Sequence, residues 1–153
     1  MHMLITGAAG FIGSHLAKRA LALGNQVTVV DNLSTGYRAQ VPEGAEFVYA
    51  DLGNPHHYVR LRGIKPDVIF HIGAQSSGWI SMDSPLRDMD DNARATVALC
   101  EWALSVGCPR VLFASTMRCA ASRWRHSTGR SSSSSLRSLS SFVESRAAEA
   151  SEM

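Results

Sequence analysis

The stretch Thr6-Gly7-Ala8-Ala9-Gly10-Phe11-Ile12-Gly13 sets three glycines at intervals of three. It follows a short apolar run, His2 to Thr6, which reads as a buried strand. After it, Phe11 to Leu23 has helical spacing at Ile12, Leu16, Ala20 and Leu23, and Gly24-Asn25 stops it. A strand, a glycine turn and a helix in that order leave few folds open. The first glycine permits the tight turn, the second lets a pyrophosphate approach bare backbone, and the third lets the helix pack close on the strand. The helix N-terminus adds free N–H groups and a partial positive charge. The plainer use of such glycines is a tight turn with no ligand, and context separates the two.

That context continues along the chain. Gln26 to Val30 is β-branched and reads as a second strand, ending at Asp31-Asn32. Ser34-Thr35-Gly36 reads as loop and Ala45 to Ala50 as a third strand ending at Asp51. A short helix over Pro55 to Arg62 and a fourth strand over Pro66 to Ile72 follow. Leu86 to Val106 is the longest helix candidate, with Val97, Cys100, Ala103 and Leu104 as its apolar stripe and Gly107 to end it. Arg110 to Ala114 is a fifth strand. Alternation of this kind predicts an α/β, Rossmann-type, doubly wound parallel sheet in the order 3-2-1-4-5, truncated after about five strands. A carboxylate at the end of the second strand, Asp31, suits the two ribose hydroxyls of an adenosine and repels a 2′-phosphate. Asn32 rather than an arginine follows it, which favours NAD over NADP. The plainer use of Asp31 is to cap a turn.

Composition limits the remaining choices. The chain has 153 residues, enough for one domain with a core, and its net charge of +2 is too small to argue for nucleic acid. Through Thr116 there are 9 Lys+Arg against 10 Asp+Glu, whereas from Met117 onward there are 6 Arg, 3 Glu and no Lys. The same tail has 12 serines in 37 residues and reads as a Ser/Arg-rich, disordered segment over 118–153, behind a folded domain over 1–117. A rival reading of that tail as a phosphorylated or nucleic-acid-binding segment has hydroxyls near arginines in RSSSSSLRS but lacks interleaved aromatics, since Trp124 stands alone. Cys100, Cys108 and Cys119 show no metal spacing and read as free thiols, the first two buried, in a reducing cytoplasm. The apolar start is broken by Gly7, Gly10 and Gly13, which argues against a signal peptide, and no run is long enough to span a membrane. His56-His57 has no partners for a metal, so none is expected. His71 reads as a packed histidine at a strand end, and Trp79 and Trp102 as packing residues.

The spacing is G-x-x-G-x-x-G, not the common G-x-G-x-x-G. TGAAGFIGSHL, VVDNLSTG, ADL at 50–52, HIGAQSS at 71–77, Asn92 and VLFAST at 111–116 occur in that order. As a set they resemble the extended short-chain dehydrogenase/reductase family, in particular its NAD-dependent nucleotide-sugar epimerases and dehydratases of the UDP-glucose 4-epimerase type. The resemblance covers residues 1 to about 117. It implies that Gly7, Gly10, Phe11, Ile12 and Gly13 cradle the pyrophosphate and that Asp31 and Asn32 hold the adenosine ribose. It implies that Asp51 and Leu52 flank the adenine and that Ile72, Gly73 and Ala74 line the nicotinamide side. Asn92 matches a helix asparagine that braces the site, though it also suits a plain helix brace. Thr116 matches the catalytic Ser/Thr that bonds the sugar hydroxyl being oxidised, and Ser115 its neighbour near the cofactor. A nucleotide-sugar substrate and a homodimer formed through the helices flanking the site are also implied.

The family takes the hydroxyl proton with a tyrosine whose pKa is lowered by a lysine four residues later. Here no tyrosine follows Tyr58 and no lysine follows Lys65, so the chain as written is expected to be inactive and to leave its fifth strand an open edge. Read from the third base of the Met117 codon, codons for Met-Arg-Cys-Ala-Ala permit Ala-Val-Cys-Gly, close to the family's continuation, which points to a single-base frameshift. Met117-Arg118 in place of the dehydratases' Asp-Glu leans toward an epimerase. Three readings stay open: the NAD-binding part of an epimerase or dehydratase, a non-catalytic NAD-binding module or sensor, and a misframed product without function.

Overall fold

The computed structural model describes residues 1–108 and 110–115. The chain divides into two units, Met1–Ala114 and Ser115–Met153. The expected tail over 118–153 lies outside the described residues.

The first unit is an α/β sheet of five parallel strands: β1 (His2–Thr6), β2 (Gln26–Asp31), β3 (Glu46–Tyr49), β4 (Val68–His71) and β5 (Val111–Phe113). Their order is β3-β2-β1-β4-β5, as the alternation predicts. Helix α1 (Phe11–Ala22) joins β1 to β2. A single 3₁₀ turn at Arg38–Gln40 and a longer 3₁₀ segment at Pro55–Leu61 flank β3. Between β4 and β5 run α2 (Gly78–Asp83), α3 (Pro85–Met89), a π turn at Asp90–Arg94 and α4 (Ala95–Ser105). The helix expected over Leu86 to Val106 is thus interrupted by a wider turn. The sequence reading had no element at Gly78–Asp83, which is short and capped by the Ser77 side chain accepting from the Ile80 amide.

Strand periodicity places one core on each face of the sheet. Met3, Ile5, Val27, Val29, Val68 and Phe70 pack with Ala17 and Ala20 of α1. Leu4, Val30 and Ile69 pack on the other face with Leu99 and Ala103 of α4 and with Leu61 and Ile64. The register aligns Thr6 with Val30 on one side and with His71 on the other.

Both long helices are rotated from the apolar phase read in the sequence. Helix α1 buries Gly13, Ser14, Ala17 and Ala20, while Ile12 is exposed. Small residues face the sheet because Gly13 sits against the turn: a Cβ there would lie 2.7 Å from the Ala8 Cα. Helix α4 buries Ala95, Leu99 and Ala103 and leaves Val97 and Leu104 exposed. It is apolar nearly all round, so periodicity alone did not select its inner face. Cys108 is buried as expected, Cys100 only half-buried, and Cys119 lies outside the described residues. Trp102 packs on the α4 core, but Trp79 is 78% exposed and packs on nothing comparable. No residue of its six-residue helix is buried.

Candidate functional site

Strand order reverses about β1, whose neighbours β2 and β4 are reached by crossovers on opposite faces. Such a switch point opens a crevice at the C-terminal strand ends. Here it is a groove of about 510 Å³ lined by the turns after β1, β2, β3 and β4. Gly7, Gly10, Phe11, Ile12, Gly13, Asp31, Asn32, Asp51, Leu52, Ile72, Gly73 and Ala74 all line it. Asn92 does not; it acts from behind the wall. Ser115 is the last described residue and is exposed, and Thr116 lies outside the described residues.

The glycine turn is built by close backbone approach. Gly7 has φ +67°, donates to the Val30 carbonyl at 2.9 Å, and abuts Gly73, where a Cβ would fall 2.6 Å from the Gly73 nitrogen. Gly10, the residue before α1, would carry a Cβ that meets only the Gly7 carbonyl oxygen, at 3.3 Å, and otherwise opens into space. The amides of Phe11, Ile12 and Gly13 lie in the first turn of α1, where the helix offers them no carbonyl. No acidic side chain stands in that turn to compete for an anion. Free amides at a helix N-terminus, with no acid beside them, suit an anion such as a phosphate group.

Asp31 is held at both oxygens. Oδ2 accepts from the Ala9 amide at 2.9 Å and Oδ1 from the Leu33 amide at 2.7 Å. Each oxygen retains a lone pair for a further donor. Leu33 has φ +55°, the left-handed region, and is alone in this among the described non-glycine residues. That strain is absorbed where the 31–36 loop folds back, with Tyr37 donating to the Ala9 carbonyl at 3.0 Å. Ser34, Thr35 and Gly36 consequently reach the groove.

The far end is set by Asp51, whose Oδ1 accepts from the Gly53 amide at 2.9 Å. The Asp51 amide donates to His57 Nδ1 at 2.9 Å, and the Tyr58 hydroxyl donates to the Leu52 carbonyl at 3.1 Å. Burial, with Cys100, Asp51 and Glu101 nearby, pushes the Tyr58 phenol well above its ordinary range. It is a fixed donor and no base. Among the described residues no cluster of His, Cys, Asp or Glu is arranged to hold a metal ion.

The wall after β4 is carried by Asn92 together with Gln75, Ser81 and Asp88, to which sequence reasoning gave no role. Gln75 Nε2 donates to Asp88 Oδ1 at 2.7 Å and to Ser81 Oγ at 3.2 Å. Asn92 Oδ1 accepts from the Gln75 amide at 2.8 Å while its Nδ2 donates to the Gln75 carbonyl at 3.0 Å. Asn92 therefore braces the loop at Gln75 and is no part of the lining. His71 is 2% exposed, and burial pushes its pKa down to about 4. It is the packed neutral histidine read from the sequence. Arg87 and Asp91 also reach the groove, paired at 3.4 Å; nothing in their sequence setting marked them.

A profile of the NAD dependent epimerase/dehydratase family matches residues 3–148. The chain belongs to that family. Within it, the chain is 41% identical over 121 residues to a UDP-glucose 4-epimerase of Mycolicibacterium smegmatis, covering 76% of this chain and 39% of that one. It is 37% identical over 114 residues to UDP-glucuronic acid decarboxylase 1 of Danio rerio, covering 74% of this chain and 27% of that one. A solved Thermus thermophilus UDP-glucose 4-epimerase in complex with NAD superposes with a TM-score of 0.73 at 39% identity, over 76% of this chain and 38% of that one. The chain thus spans well under half the length of the family relatives it matches. The groove fits the family's dinucleotide on its own geometry, in the bare glycine backbone, the free first-turn amides and the fixed Asp31 carboxylate.

Proposed function

We propose that this chain binds NAD along the groove and is the NAD-holding part of a nucleotide-sugar epimerase of the UDP-glucose 4-epimerase type. The observation that carries this is the convergence of twelve residues singled out in the sequence on one groove at the strand switch point. In this reading Gly7, Gly10, Phe11, Ile12 and Gly13 hold the pyrophosphate. Asp31 and Asn32 hold the adenosine ribose, Asp51 and Leu52 flank the adenine, and Ile72 to Ala74 face the nicotinamide. Asn92 positions that last wall; by resemblance Thr116 is the residue that bonds the sugar hydroxyl and Ser115 its neighbour near the cofactor. NAD, when bound, supplies a hydride acceptor for a sugar carbon. The same three quarters of the chain also resemble a UDP-glucuronic acid decarboxylase, so they do not select the reaction; the epimerase reading rests on the larger share of epimerase relatives.

The absence of tyrosine after Tyr58 and of lysine after Lys65 favours binding without turnover by these 153 residues alone. We place the folded NAD-binding domain at 1–117 and the Ser/Arg-rich tail at 118–153. Free Cys100 and Cys108 fit a reducing cytoplasm. Among the described residues no helix is long and apolar enough to cross a membrane. Exposed Trp79, Met82, Leu86 and Val97 along α2 to α4 support the implied homodimer.

Titration calorimetry with NAD and NADP, beside an assay of UDP-glucose to UDP-galactose conversion, tests the reading. The expected result is one NAD per chain, weaker NADP, and no conversion. Failure to bind NAD, or equal affinity for NADP, overturns it.

A further inference from the structure

The register of the sheet sets Thr6 beside His71 on the face covered by α4. Both are buried, at 1% and 2% exposure. Thr6 Oγ1 lies 2.7 Å from His71 Nδ1, and it is also 3.1 Å from the Ile72 amide and 3.0 Å from the Gly73 amide. Across the ring, His71 Nε2 lies 3.0 Å from Thr96 Oγ1, which is 2.7 Å from the Asn92 carbonyl.

Counting protons assigns every direction in this chain of bonds. A hydroxyl has one proton to give. The Asn92 carbonyl only accepts, so Thr96 spends its proton there and must accept from His71 at Nε2–H. Thr6 already accepts the Ile72 and Gly73 amides, so its own proton goes to His71 Nδ1. The ring is therefore the neutral Nε2–H tautomer, and each partner is matched to it.

The two ends of the chain of bonds hold one loop. Thr6 fixes the amides of Ile72 and Gly73, while Asn92, anchored by Thr96, fixes both backbone groups of Gln75. Between these points lies the wall that Ile72, Gly73 and Ala74 present to the groove. The Asn92 anchor falls inside the π turn, a local widening frequent at functional sites.

We propose that Thr6, His71 and Thr96 form a proton-ordered clamp that sets the 72–75 wall for the dinucleotide, with His71 a positioning residue in fixed tautomeric form and neither acid nor base. The proposal rests on the reading of the groove as an NAD site. It explains why a histidine is buried at the floor of the groove with no carboxylate beside it.

Long-range ¹H–¹⁵N correlation spectra of the whole chain at neutral pH read the tautomer directly. NAD titration of Thr96→Val and Thr96→Ser reads its consequence. The expected results are His71 protonated at Nε2 only, Thr96→Ser binding NAD within about twofold of the parent, and Thr96→Val binding about fivefold to tenfold more weakly. Protonation at Nδ1, a Thr96→Val chain that binds as the parent does, or a Thr96→Ser loss equal to that of Thr96→Val overturns the clamp. Should Thr96→Val not fold, the parent tautomer and the serine variant decide. If the parent binds no NAD, the groove reading fails, and the tautomer still judges the clamp.

Discussion

Gly10 and Gly13 lie three residues apart in one turn, and the structure assigns them different duties that alanine substitution separates. A Cβ on Gly13 would press on the Gly7 carbonyl, 2.8 Å from its carbon and 2.7 Å from the Ala8 Cα. All of these are backbone atoms, which cannot rotate aside. Overpacking of this kind costs about 3 kcal/mol, at the upper end of the usual range. Alanine in place of glycine within α1 returns about 1 kcal/mol of helix propensity. Gly13→Ala should therefore destabilise by about 2 kcal/mol net, lowering Tm by about 8 °C for a domain of this size. Gly10 has φ −89° and ψ 175°, a conformation open to any residue, and its Cβ would need only a few tenths of an ångström from the Gly7 carbonyl oxygen. Gly10→Ala should cost under about 1 kcal/mol of stability, chiefly as a poorer cap. It should nonetheless weaken NAD binding at least about tenfold, about 1.4 kcal/mol, because the methyl stands where a pyrophosphate meets backbone. Thermal denaturation and NAD titration of both variants make the comparison. A Gly13→Ala chain melting at or above the parent, or a Gly10→Ala chain with parental affinity, would refute the reasoning.

Further substitutions probe other parts of the account. Asp31→Asn keeps the shape of the side chain but sets an amide N–H against the amide of Ala9 or Leu33; NAD affinity should fall about tenfold and the preference over NADP should narrow, measured by parallel titrations. Leu99→Ala, at a fully buried site, should cost about 3 kcal/mol in urea unfolding, whereas Leu104→Ala, 79% exposed, should cost under about 0.5 kcal/mol. His71 has a folded pKa of about 4, below the unfolded value near 6.5, so the unfolded chain binds its proton first as pH falls. Stability from the neutral ring is present above about pH 6.5 and is lost between there and pH 4, about 3 kcal/mol in all. Comparing the pH dependence of unfolding with that of His71→Gln isolates this component, and identical slopes would contradict it.

Strand order and the line of the groove were legible because they rest on local chemistry. Short apolar runs bounded by Gly7, Asp31, Asp51 and Gly73 mark strand ends, and strand ends are where such a sheet opens. Helix facing was less legible. In α1 the residues against the sheet are Gly13, Ser14, Ala17 and Ala20, too small to dominate a hydrophobic pattern. In α4 the outer face also carries large apolar residues, Val97 and Leu104. The π turn at Asp90–Arg94 left no periodic signal, and the contacts around it join distant segments, Asn92 with Gln75 and Thr96 of α4 with His71. Arg87 and Asp91 reach the groove for the same tertiary reason. The relation of Thr6 to His71 follows from parallel register, which no single segment encodes.

The most direct test of the central claim is an amide ¹H–¹⁵N map of the whole chain with and without NAD. The account predicts shifts concentrated at Gly7 to Gly13, Asp31 to Ser34, Asp51-Leu52 and Ile72 to Gln75, saturating at one NAD per chain. An unchanged map, or shifts gathered instead around Trp79 and Met82 on the outer helices, would contradict it.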